Sequence, residues 1–160
     1  MGTNRVAFPG LGLEFNFNPV AFSIGNLEIR WYGIILTLGI VLAFLYFYRR
    51  AVKTEGIEPD HIYNLALFTV PIAIIGARLT YVLTNLDEYD SFLDMLKIWE
   101  GGIAIYGAII FGLVTVVIYT RVTRIGAFAT LDALAPGVML GQIIGRWGNF
   151  MNGEAYGRET

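Results

Sequence analysis

Four stretches of this 160-residue chain, 31–48, 61–83, 103–119 and 131–150, are apolar over about the 20 residues that a helix needs to cross a bilayer core. A chain that must place four such segments has little choice of solvent. Hydrophobic residues make up 56% of the sequence and charged ones only 15%, against about 25% charged in a soluble domain. The pattern predicts an all-α fold, a polytopic transmembrane helix bundle forming a single membrane domain over residues 1–160. Residues 1–30 are too short and too broken by Pro9, Pro19 and Gly25 to span, so 15–29 reads as an extracytoplasmic interfacial segment. No basic stretch precedes an early apolar core, so membrane insertion is assigned to the internal spans.

The connecting segments sort by charge. Arg49, Arg50 and Lys53 follow the first span, and Arg121 and Arg124 follow the third. Between the second and third lie Asp87, Glu88, Asp90, Asp94 and Glu100 against Lys97 alone. Cytoplasmic loops collect Lys and Arg. Both basic loops are therefore predicted inside, and the acidic loop and the N-terminus outside. The fourth span then runs outward and carries Arg146 and Glu154 to the outer face. Tyr89, Phe92, Met95, Leu96 and Trp99 suggest a short helix lying on the membrane surface between spans two and three. Residues 126–130 read as a short inner turn.

Several chemistries are excluded by composition. A net charge of −2 does not suit a nucleic-acid partner. The absence of cysteine removes a thiol nucleophile and a thiolate metal site, and a single histidine, His61, removes a multi-histidine one. No metal or cofactor is expected. His61 itself reads as a plain interfacial residue.

Charges inside a span are the informative ones, because each costs about 2.5–3.5 kcal/mol on insertion scales. Arg78 sits inside span two. It either snorkels to the outer headgroups or faces the bundle interior, holding a lipid phosphate or an acidic partner. Span four carries Gly137, Gly141 and Gly145 at intervals of four, a packing stripe of small residues. Gln142, Arg146 and Asn149 follow at i, i+4 and i+7 on a second, polar stripe. Asn152 and Glu154 extend the polar run. A guanidinium among amides suits a phosphodiester, which its planar fork can grip at two oxygens. Periodicity alone thus supports an anionic lipid or ion near the outer leaflet. Trp31 reads as an aromatic-belt residue. Tyr32 and Tyr106 are belt residues or cavity hydroxyls at the same depth.

The run Gly145-Arg146-Trp147-Gly148-Asn149-Phe150-Met151-Asn152-Gly153-Glu154, followed by Tyr156-Gly157-Arg158, closely resembles the signature of bacterial prolipoprotein diacylglyceryl transferases. Phe22-Ser23-Ile24-Gly25 with Ile29-Arg30-Trp31-Tyr32-Gly33, Gly76-Ala77-Arg78-Leu79-Thr80-Tyr81, and Trp99-Glu100-Gly101-Gly102 up to Gly107 resemble further blocks of that family in the same order. The resemblance implies transfer of a diacylglyceryl group from phosphatidylglycerol to the lipobox cysteine of a preprolipoprotein, in the bacterial plasma membrane, with glycerol phosphate released. It implies that Arg146 holds the phosphate and stabilises the leaving group's charge. Asn149 and Glu154 would position the headgroup, with Asn152 and Gln142 beside them. Tyr32 would be essential, and Arg78 would contact the lipid or its network.

Two features depart from the family's pattern. Many members carry histidine at the position of Tyr106, proposed as the base for the thiol. A neutral phenol is a poor base at pH 7, which leaves deprotonation to cationic surroundings. Members also continue past the signature through further spans with another essential arginine. The resemblance therefore implies that this chain is an N-terminal portion and inactive alone. Two rivals to a transferase are an anion-selective channel or transporter half, and an enzyme of polyprenyl or phospholipid phosphates. The first would show an inverted repeat and the second an acidic metal-binding pair within a span. Neither pattern is present in the sequence.

Overall fold

The computed structural model describes residues 4–8, 10, 12–25, 27–89, 91, 93–98 and 101–153. Four long helices dominate: α1 (Trp31–Lys53), α2 (Pro59–Thr84), α3 (Ile105–Thr123) and α4 (Ala127–Asn152). All four are long and apolar enough to cross a membrane. At 1.5 Å per residue, even the 19 residues of α3 reach about 28 Å, close to the thickness of a hydrocarbon core.

Local sequence explains the helix limits. Pro59 opens α2 where its missing N–H is not needed, and Asp60 in the first turn complements the positive helix end. Arg124 ends α3 in the left-handed region with φ 61°. The helix α4 begins at Ala127, so residues 127–130, expected as part of a turn, form its first turn. Thr130 is fully buried there, and its hydroxyl donates to the Gly126 carbonyl at 2.9 Å.

The described part of the first 30 residues is largely β-structure that apolar length gave no reason to expect. Strands β1 (Asn4–Phe8) and β2 (Leu13–Phe17) form one antiparallel hairpin; β3 (Val20–Ile24) and β4 (Leu27–Arg30) form a second. The second carries an irregularity between Val20 and Phe22 and runs directly into α1. The Trp31 N–H donates to the Pro19 carbonyl at 3.0 Å, tying the first residue of α1 to the start of that hairpin. The expected surface helix between α2 and α3 is also replaced: the described part contains two single 3-10 turns, Leu86–Glu88 and Asp94–Leu96.

Many large apolar side chains face outward, unlike in a water-soluble protein. Leu67, Leu83 and Ile105 are exposed, whereas the buried positions include Ala51, Ala77, Ala133, Thr115, Thr120 and Arg78. Lipid tails are as apolar as leucine, so helices in a membrane associate through small and hydrogen-bonding residues.

The chain divides into two compact units, residues 1–50 with 132–160 and residues 51–131. In the first, α1 and α4 run antiparallel. A Cβ on Gly137 would stand 2.8 Å from the Ala43 carbonyl oxygen, one on Gly39 3.2 Å from Ile144, and one on Gly148 3.0 Å from the Tyr32 ring. Phe17 meets Phe150 edge-on at 5.2 Å, docking the first hairpin on the last turn of α4. In the second unit α2 and α3 are antiparallel and closer still. Gly107 lies against the Gly76 carbonyl and Thr80, Gly76 lies under Phe111, and Gly112 faces Thr69 and Ala73. At the other end His61 Nδ1 and the Tyr119 hydroxyl are 3.0 Å apart, so His61 is a cross-helix partner rather than only an interfacial residue.

Candidate functional site

Within the first unit, an open groove of about 890 Å³ follows the N-terminal half of α1. One end is polar, with Glu28, Arg30, Tyr32 and Asn152; the rest is apolar, along Ile34, Leu38 and Val41. Tyr32 is held there by its ring contact with Gly148 and by its position in the first turn of α1. Arg30 Nη2 is 4.0 Å from Glu28 Oε2, and both side chains are more than half exposed, so their pairing is weak. A polar mouth above an apolar wall is the shape of a lipid headgroup and its acyl chains. Of these lining residues Tyr32 and Asn152 were candidates from the sequence, and Glu28 and Arg30 were not. Their signal was faint: a charge on each of two nearby residues just before an aromatic-led span.

The polar stripe of α4 lies elsewhere on the same unit. Among the residues of α4 that meet α1 are Gly137, Gly141, Ile144 and Gly148. At 100° per residue, Gln142, Arg146 and Asn149 stand about 140° around the helix from that seam. Gln142 and Arg146 are exposed and Asn149 is half-buried. Arg146 makes no hydrogen bond or ion pair among the described residues. Gly145, expected in the packing stripe, has nothing within 4 Å of an added Cβ. The structure thus divides the candidates of this unit between two faces of α4, with Tyr32 and Asn152 on one and Gln142, Arg146 and Asn149 on the other. Glu154 lies outside the described residues.

Tyr106 and Arg78 belong to the second unit. Tyr106, in the first turn of α3, is 75% exposed. Arg78 is 7% exposed and neither snorkels nor presents a free guanidinium. Its Nε donates to the Met95 carbonyl at 2.8 Å and its Nη2 to that of Asp94 at 3.0 Å. Its Nη1 donates to the carbonyls of Gly101 at 2.6 Å and Gly102 at 2.8 Å. Four of the five guanidinium N–H groups are therefore taken by one loop. The Tyr89 ring lies 5.3 Å from the guanidinium carbon, within cation–π range. Of its two expected placements Arg78 takes the interior one, and its described partners are backbone carbonyls and the Tyr89 ring.

Among its described residues the same loop holds the ion pair Lys97–Asp94. Lys97 Nζ donates to Asp94 Oδ1 at 2.6 Å, and this hydrogen bond and charge hold the Asp94 carboxyl below its ordinary range. A depressed carboxyl adds stability above its unfolded pKa, about 3.9, and loses it as pH falls through the lower folded value. Protection of the loop amides, corrected for intrinsic exchange, should be flat from about pH 8 to 5 and weaken only below about pH 4. A loss beginning near neutral pH would contradict this.

Among the described residues no cluster of three or more His, Cys, Asp or Glu side chains is arranged to hold a metal ion. The family model for prolipoprotein diacylglyceryl transferases matches residues 19–160, from the second hairpin through the signature. The chain belongs to this family. It is 50% identical over 89% of its length to phosphatidylglycerol–prolipoprotein diacylglyceryl transferase 1 of Clostridium perfringens. It is 46% identical over 91% to the enzyme so named from Lysinibacillus sphaericus, and 44% over 89% to that of Pediococcus pentosaceus. It covers 54%, 53% and 51% of those proteins, so it spans about half the length of the curated relatives it matches. With its four apolar helices, this member of the family is a multi-pass membrane protein.

Proposed function

We propose that this chain carries the lipid-handling half of a phosphatidylglycerol–prolipoprotein diacylglyceryl transferase of the bacterial plasma membrane, with its N-terminus outside. The observation that carries the reading is Arg146. It is an exposed guanidinium on a membrane-spanning helix, inside a ten-residue run that resembles the family's signature and lies within the matched region. Such a charge is costly in lipid, and an anionic phosphodiester is the ligand that offsets the cost.

In this reaction the cysteine sulfur of the lipobox peptide attacks the glyceryl carbon that bears the phosphate ester. The carbon–oxygen bond breaks, a thioether forms, and glycerol phosphate leaves with the bonding pair. The thiol proton passes to the phosphate or to solvent. The phosphate goes from one negative charge towards two, so a fork of N–H donors from Arg146 gains strength as the bond breaks. Gln142 and Asn149, on the same stripe, supply neutral donors for the headgroup, and Glu154 accepts from its hydroxyls. The Tyr32–Asn152 groove lies on another face of α4 and suits a lipid chain rather than the phosphate. The resemblance also implies a role for Tyr106, as a hydrogen-bonding phenol rather than as a base.

The test is transfer of labelled diacylglyceryl from phosphatidylglycerol to a lipobox peptide, with the full-length protein in lipid nanodiscs. Thioether product dependent on both substrates supports the reading. Tight phosphatidylglycerol binding without product would favour a non-enzymatic lipid-binding or transport module, and no binding at all would remove the lipid assignment.

A further inference from the structure

Three consecutive residues of α2 each hold a different point on the approach to α3. The Gly76 carbonyl is where Gly107 packs. The Ala77 carbonyl accepts the Ala104 N–H at 3.0 Å. Arg78 gathers the carbonyls of residues 94, 95, 101 and 102. Carbonyls from two separate stretches of one loop can converge on a guanidinium only if the backbone doubles back. Gly101 and Gly102 present their two successive carbonyls from left-handed backbone, with φ of +95° and +77°, where a side chain would be strained. A Cβ on Gly102 would also stand 2.6 Å from Arg78 Nη1. Two stretches separated in sequence, 76–81 and 101–107, are thus one physical assembly.

We propose that Arg78 is a positioning residue. Its guanidinium fixes the backbone of the α2–α3 connection, and through it the first turn of α3 that carries Tyr106. It is not a ligand of the donor lipid's phosphate. A group with four N–H donors committed to backbone oxygens has one left, too few for the two-point grip that makes arginine a phosphate ligand. The carbonyls also explain why arginine is required: lysine offers three donors from one point and cannot bridge two stretches of chain.

The positioning role in catalysis rests on the proposed transferase reading; the clasp itself does not, and the experiment separates them. Hydrogen exchange of residues 86–104 is followed in nanodiscs of phosphatidylcholine alone and with phosphatidylglycerol added, alongside transfer kinetics. In the unaltered chain the loop amides should be equally protected in both lipids. Arg78→Lys and Gly102→Ala should each speed their exchange at least tenfold in both, leaving the centres of α2 and α3 unchanged. Gly102→Ala retains the charge and only displaces it, so it guards against a folding failure of the Arg78 variant. Both should lower kcat at least tenfold with KM for phosphatidylglycerol within twofold. Methylguanidinium should restore loop protection and transfer to Arg78→Ala, which general misfolding would not allow. Protection that appears only with phosphatidylglycerol, or a tenfold rise in KM with unchanged exchange, would overturn the proposal. Absence of transfer from the unaltered full-length protein would count against the transferase reading alone, and the exchange result would still decide the clasp.

Discussion

Arg146→Ala should reduce diacylglyceryl transfer by about two to three orders of magnitude, the usual loss on removing a donor that stabilises developing charge. The loss should fall mainly on kcat, because the phosphate acquires its second charge only as the carbon–oxygen bond breaks. Arg146→Lys should recover part of the rate, since lysine restores the charge but not the planar fork. Folding should be unaffected: Arg146 is exposed and makes no hydrogen bond or ion pair among the described residues. Transfer rates measured at saturating lipid and peptide provide the check. A variant that retains most of its activity would remove Arg146 from the chemistry and shift attention to Arg30 at the mouth of the groove.

The second large effect concerns stability. Gly107→Leu should destabilise the α2/α3 pair by about 3 kcal/mol, at the upper end of the usual overpacking range. An added side chain would meet the Gly76 carbonyl and Thr80, and a backbone carbonyl cannot swing aside as a flexible side chain can. Gly145→Ala should by contrast change stability by no more than about 0.5 kcal/mol. Its Cβ would enter open space, and alanine is the better helix former. Equilibrium unfolding in mixed micelles distinguishes the two. Equal losses would show that the close approach of α2 and α3 does not carry the stability assigned to it.

The helical frame was legible because its cause is one-dimensional. Twenty apolar residues must be a spanning helix, whatever their neighbours, and all four helices lie where hydropathy put them, within a few residues. The two N-terminal hairpins were not legible. Their strands are four or five residues long, too short for alternation to stand out from a mixture of Phe, Asn and Gly. The surface helix expected between α2 and α3 failed for a reason outside its own residues. The Asp94 and Met95 carbonyls turn towards Arg78, 16 and 17 positions away in sequence, in place of a continuous helical ladder.

The sequence by itself determined the solvent, the number of spans and, through the signature around Arg146, the family. Tertiary structure alone decided which residues share a face. The glycines at 137, 141 and 145 looked like one seam, yet a strict four-residue interval drifts about 40° per step around a helix. A straight contact with an antiparallel neighbour alternates steps of four and three. Gly137, Gly141, Ile144 and Gly148 follow that alternation, and it is they that meet α1. That choice turns Arg146 away from the seam and leaves Tyr32 and Asn152 beside it. Arg78 shows the same limit most plainly: its charge marks it in the sequence, but only the fold supplies the four carbonyls that occupy it.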